Sequence, residues 1–245
     1  MNAQVVEPGF LSKTMALVRK DVRVEIRARE TLLPMMMFAF TVTLLLAFTL
    51  PGGPTGGRAL RLPAGTLPAS DVLAGFLWVT VLFAGLIGAA RTFEVEREHA
   101  AIEALLLVPL DRSGLFIAKA LVNLTYVVAL QVILIPAFSL LFDLRLAERS
   151  GSMLAVVALV DVGFVVVATT FAALAARTRS RELLLPILSL PALVPIFIAA
   201  VELTSTIFAG EPAGSVAGSG WFGVLLAFDV IFTITSIVTF EFVLD

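Results

Sequence analysis

The chain has no cysteine, three lysines and a single histidine, and only 15% of its 245 residues are charged. Without cysteine there is no disulfide, no thiolate metal site and no C-x-x-C-H haem attachment. His99 has no second imidazole or thiolate to share a metal with, so it reads as an exposed loop residue and no metal site is expected. None of the three lysines stands in a G-x-x-x-x-G-K-[ST] loop, which excludes ATP binding and hydrolysis by that route. No nucleophile, base and orienting acid are available together, nor carboxylates paired across a cleft, and no catalytic residue is assigned. The chain alone is not expected to be an enzyme; any work it performs takes its energy from a partner or an ion gradient. A net charge of −2 gives no reason to expect a nucleic-acid partner.

What is abundant is apolar surface. Hydrophobic residues make up 59% of the chain, well above the half typical of soluble domains. A membrane span needs about 20 mostly apolar residues, and six windows qualify, near 32–50, 72–90, 114–142, 152–176, 183–203 and 221–243. The third is long enough to tilt or to extend beyond the bilayer. Of the 17 lysines and arginines, 13 fall in one alternate set of connections and 4 (Arg58, Arg61, Arg145, Arg149) in the other. The basic set marks the cytoplasmic side and places both termini there. The expectation is an all-α inner-membrane protein: residues 1–31 form an N-terminal amphipathic segment and residues 32–245 a six-span transmembrane domain. Residues 1–30 mix charges throughout and have no apolar core with a small-residue cleavage site, so insertion through the spans themselves is expected.

The outer connections at 51–70 and 208–220 are rich in Gly, Pro and Ser, which favours irregular backbone. Small residues recur where two spans end, in "FAGLIGAART" (83–92) and "FAALAART" (171–178), and allow close helix packing. In the N-terminal segment Leu11, Met15, Val18, Val22 and Ile26 recur at helical spacing, with Lys13, Lys20, Arg23 and Arg27 opposite. Such a helix lies in the cytoplasmic interface with its basic groups toward anionic lipid, or packs on the protein's own loops.

Several polar groups stand inside the spans. Asp161 and Asp229 lie roughly 12 Å from the outer ends of their windows, where a charged Asp costs about 2.5–3.5 kcal/mol. Each must face protein or a water-filled cavity, or carry a proton; Asn123, Gln131 and threonines are available to hydrogen-bond them. They serve either a proton or cargo pathway or a hydrogen bond between helices. Pro186, Pro191 and Pro195 fall in one span and make it a candidate hinge. Met35, Met36 and Met37 read as adaptable packing rather than axial ligands.

The charged stretch "RTFEVEREHAAIEALLLVPLDRSG" (91–114) interrupts this apolar chain. Val95, Ile102, Leu105 and Leu106 share one helical face, while Glu94, Arg97, Glu98 and Glu103 decorate the rest. Pro109 stops that helix, and Asp111 or Ser113 can cap the next. An amphipathic helix held between two spans suggests a docking surface.

"EREHAAIEALLLVPLDRSGLFIAKAL" (96–121) resembles the E-R-E…E-x-L-L-x-x-P-x-x-R…K signature of ABC-2 type export permeases, although Ala101 and Ile102 stand where many members have Gly-Thr. Closer still is the similarity to the CcmB family, the haem exporter permeases of cytochrome c maturation. It is carried by "RKDVRVEIRARETLLPMMMF", "WVTVLFAGLIGAARTFEVERE", "ARTRSRELLLPIL" and the closing "AFDVIF…FEFVLD". The resemblance implies an ABC transporter permease, coupled through Glu94, Glu98, Glu103, Pro109, Asp111 and Arg112 to a cytoplasmic ATP-binding subunit of CcmA type. It further implies a haem-handling CcmC-like subunit, a small CcmD-like helper, a second copy of the permease, and ATP hydrolysis in the partner that releases a haem-loaded chaperone outside. The chain's own residues offer intramembrane acids, no intramembrane base and no iron ligand, so haem is expected to be cargo of the complex and no cofactor to be bound by this chain. The competing readings are an ABC-2 permease for another cargo, a proton-coupled carrier using Asp161 and Asp229, and a passive membrane scaffold.

Overall fold

The computed structural model describes residues 9–50, 60–62, 65–92, 112–144, 146–176 and 181–243. Each long apolar run becomes a helix, because a helix satisfies its backbone N–H and C=O groups internally where no water is available. Among the described residues six helices are long and apolar enough to cross a membrane: α2 (Leu32–Thr49), α3 (Ala69–Thr92), α4 (Arg112–Leu141), α5 (Ser150–Ala176), α6 (Arg181–Phe208) and α8 (Gly220–Val243). Helix α1 (Phe10–Ala28) precedes them, and the short α7 (Ala213–Ala217) lies between α6 and α8. The observed spans match the expected windows to within about a turn or two at their ends.

The connections expected to be irregular contain more structure than that. Residues 60–67 hold a small antiparallel hairpin, β1 (Leu60–Leu62) and β2 (Gly65–Leu67), in which Leu60 pairs with Leu67 and Leu62 with Gly65. After α6, Gly210 adopts φ 88°, and the Gly210 and Glu211 N–H groups donate back to Ile207 and Thr206 carbonyls. Only glycine enters that region without a Cβ penalty, which is why the helix stops there. Pro212 then starts α7. Arg149 holds this connection from the other side, its guanidinium donating to the carbonyls of Gly210 and Glu211. The gain comes from pairing carbonyls that a Gly/Pro-rich segment leaves open.

Helix α5 is the hub of the bundle, packing on α6, α8, α4 and α3. Glycines and alanines allow the close approaches. A Cβ on Gly85 would lie 2.5 Å from Cζ of Phe164, and one on Gly88 would lie 2.7 Å from Sδ of Met35. Met35 is fully buried on that glycine, while Met37 faces outward, so the three methionines do not act as one group. Phe164 also stands edge-on to Phe197, which meets Trp78 in the same way, at centroid distances of 6.0 and 6.1 Å. This cluster ties α3, α5 and α6 together. Helix α6 stays a single helix through Pro186, Pro191 and Pro195.

Candidate functional site

The polar residues of the bundle pair helix to helix. Asn123 of α4 donates from Nδ2 to Thr169 Oγ1 of α5 at 2.9 Å, and its Oδ1 accepts from the Thr92 hydroxyl of α3. One side chain thereby joins three spans. About two turns further along α4, Gln131 donates from Nε2 to Asp161 Oδ1 of α5 at 2.8 Å, and both residues are buried. At the far end of α3, Trp78 Nε1 donates to Thr204 of α6 at 2.8 Å, and Asp71 accepts from Ser205. Of the residues offered as partners for the two intramembrane acids, Gln131 takes Asp161, whereas Asn123 is committed to the threonines.

Asp229 has a different setting. It is buried, and its Oδ1 has no hydrogen-bond partner among the described residues. That oxygen lies against Gly163 of α5, beside Ile196 Cδ1 of α6. Gly163 is two positions beyond Asp161, a rotation of roughly 200° on a helix. The two acids therefore meet different faces of α5 and do not form one site.

A second cluster lies at the base of α4. This helix has 30 residues, a rise of roughly 45 Å against a hydrocarbon core of about 30 Å. Helix α1 lies along the first turns of α4: a Cβ on Gly114 would be 3.0 Å from the Phe10 ring, and Lys119 Nζ is 2.7 Å from Asp21 Oδ2. The Lys119 side chain is only 3% exposed and that of Asp21 13%. Lys119, counted in the sequence among the cytoplasmic flanking charges, is thus the buried half of a partly buried ion pair. Glu25 then reaches past the end of α1. Its Oε1 accepts from the N–H groups of Thr31 at 2.8 Å and Leu32 at 2.7 Å, at the N-terminus of α2. A carboxylate is favoured there by the open N–H groups and the helix dipole, and Pro34 removes one further donor from the same turn. The α1–α2 turn is set by Arg29 in the left-handed region at φ 55°.

Of the residues expected to couple the chain to an ATPase, Glu94, Glu98, Glu103, Pro109 and Asp111 lie outside the described residues. Arg112 is the first residue of α4, and Ser113 lies inside that helix rather than before it as a cap. His99 also lies outside the described residues. Among the described residues no group of three or more His, Asp or Glu side chains could hold a metal ion.

Sequence reasoning missed Asp21, Glu25 and Lys119 as a unit. The only signal was local: two acids on the same side of an amphipathic helix, which alone suggests a solvated face. The Glu25 contact carries a direct expectation. Glu25→Ala should cost about 1–3 kcal/mol, because two enclosed N–H groups lose a charged acceptor. Glu25→Gln, which keeps an acceptor oxygen, should cost less. Thermal midpoints of the two variants in one detergent check this, and equal midpoints would show that the cap contributes nothing.

Six apolar spans, an amphipathic helix docked at the base of the third, and polar contacts used between helices define a multi-pass membrane protein. The chain belongs to the CcmB family: the family described as CcmB protein matches residues 12–243. Curated relatives agree. Heme exporter protein B of Rhodobacter capsulatus is 30% identical over 194 residues, covering 77% of this chain and 80% of the relative. Heme exporter protein B of Bradyrhizobium diazoefficiens is 28% identical over 203 residues, covering 80% and 82%.

Proposed function

We propose that this chain is the membrane permease component of an ABC-type haem export system serving cytochrome c maturation. The family match over residues 12–243 carries this reading, and the six-span bundle supports it. The permease works in the inner membrane with both termini cytoplasmic, an orientation supported by the uneven placement of Lys and Arg. ATP is bound and hydrolysed by a CcmA-like subunit docked on residues 94–112. A CcmC-like subunit and its CcmD-like helper handle haem, and the permease acts as a pair within the complex.

The base of α4 suggests how work enters the membrane domain. The docking segment leads directly into α4 at Arg112, seven residues before Lys119. The Lys119–Asp21 pair joins α4 to α1, and Glu25 joins α1 to the start of α2. A push on the docking segment would therefore move α4, α1 and α2 together rather than bend one helix. Pro186, Pro191 and Pro195 give α6 a place to flex in response, since each removes a backbone hydrogen bond.

Haem is cargo of the complex and is ligated outside this chain. A haem brings two propionates and an iron that needs an axial ligand. Toward propionates the described interior presents the acids Asp161 and Asp229, and its buried lysine, Lys119, already meets Asp21. Purification of the chain alone and with its candidate partners, followed by haem and ATPase assays, tests the proposal. Haem and stimulated hydrolysis should appear only with the partners. Stoichiometric haem with a defined axial-ligand spectrum in the isolated chain would overturn the assignment of ligation. Asp229→Asn should leave ATP-driven release unchanged; transport driven by a pH gradient without any ATPase, and lost in this variant, would favour a proton-coupled carrier.

A further inference from the structure

The outward side of α1 carries the apolar and the basic residues of its sequence in two adjoining sectors. With Asp21 taken as zero and about 100° per residue, Thr14, Asp21 and Glu25 fall within roughly 40° of one another. This polar sector is the one turned into the protein: Thr14 and Glu25 are buried, and Asp21 meets Lys119. Leu11, Met15 and Ile26 occupy a sector at roughly 80–140°, and they are 79%, 58% and 65% exposed. Arg19, Arg23 and Arg27 follow at roughly 160–240°, and all three are exposed.

Helix α1 thus hides its acids and displays, side by side, an apolar stripe and a row of three guanidiniums. The stripe leads toward α2, which begins four residues after α1 ends and carries its own outward row in Leu33, Met37 and Phe40. We infer that this outer side of α1 is a binding surface for anionic phospholipid, with Leu11, Met15 and Ile26 entering the acyl region and Arg19, Arg23 and Arg27 meeting headgroup phosphates. The inference rests on α2 and α4 being membrane spans, and is independent of what the complex exports. Two physical requirements are met together. The exposed apolar area needs a nonaqueous neighbour, and the adjacent positive sector needs a negative one. An anionic leaflet supplies both, and the two acids of α1 itself are neutralised or turned inward: Asp21 pairs with Lys119 and Lys20, and Glu25 is buried at the start of α2. Guanidiniums are suited to this role, since a planar fork meets phosphate oxygens in pairs.

The absence of cysteine makes the test direct. Met15→Cys in the full chain gives a single labelling site for a fluorophore, and Leu45→Cys, on the exposed face near the opposite end of α2, gives a reference. Each labelled chain is reconstituted in phosphatidylcholine bilayers containing nitroxide-bearing phosphatidylglycerol or nitroxide-bearing phosphatidylcholine. Quenching at Met15 should be at least about threefold more effective with the anionic lipid at low salt, and the preference should disappear at high salt. The Leu45 probe should show no preference. Arg19→Gln, Arg23→Gln and Arg27→Gln together should abolish the preference at Met15 while quenching by both lipids persists. The salt titration needs no arginine variant, so the result stands even if the triple substitution fails to fold. Quenching by neither lipid would show that the stripe is covered by protein, and equal quenching by both at low salt would show that the arginines do not select the headgroup. Either result overturns the inference, as would a preference that survives the triple substitution.

Discussion

Gly163→Ala is expected to destabilise the bundle by about 1–3 kcal/mol, which corresponds to a fall of roughly 2–12 °C in thermal midpoint. The added methyl would fall inside the van der Waals envelope of Ile196 Cδ1 and Asp229 Oδ1, and 3.2 Å from Phe228 Cδ1. Ile196 is fully buried, so its terminal methyl has no solvent to move into. Close-packed interiors pass such an overlap to the backbone, and here three helices would have to part: α5, which carries Gly163, and α6 and α8, which meet it there. A second substitution separates this cause from a general intolerance of change. Ile196→Val deletes Cδ1, and on its own should cost about 0.5–1.5 kcal/mol through the cavity it leaves. With alanine at 163 the same deletion makes room, so the double variant should melt above Gly163→Ala alone. Strict additivity of the two costs would show that the overlap is not what destabilises the chain.

The contact at Gly163 also shows where the sequence was legible and where it was not. The six spans could be read because length and apolarity are properties of a local window. The crowding of small residues in 83–92 was equally visible, and Gly85 and Gly88 do receive Phe164 and Met35. What a window cannot reveal is the partner. Gly163 looks like any glycine in an apolar run until Asp229, 66 positions later, is laid against it. Nothing local marks the partners of Asp21 and Glu25, because Lys119 is remote and no capping-box spacing links Glu25 to Leu32. The pairing of Gln131 with Asp161 was within reach of the sequence because both stand inside spans, where few donors compete. The hairpin at 60–67 was hidden by the Gly/Pro content around it, which signals turns and gives little sign of two strands three residues long.

Simultaneous charge reversal at Glu98 and Glu103 is expected to detach the ATP-binding partner. A salt bridge on an open surface contributes little, about 0–1 kcal/mol, and its loss alone would not dissolve a complex. Reversal does more than remove an attraction: it sets lysines against the basic groups that the glutamates meet in the proposed interface. Like charges placed opposite one another there cost several kcal/mol, and about 3 kcal/mol already weakens binding roughly a hundredfold. Glu98→Gln with Glu103→Gln should fall between the two states, since neutral side chains neither attract nor repel. Pull-down of the partner and stimulated ATP hydrolysis should decline together across this series, with the thermal midpoint of the permease unchanged. A contrasting variant distinguishes docking from transmission. Asp21→Asn weakens the join between α1 and α4 at Lys119 and leaves the docking segment intact. It should therefore keep the partner bound while reducing the effect of hydrolysis on the membrane domain. If the double reversal leaves pull-down and stimulation intact, the partner does not dock through Glu98 and Glu103.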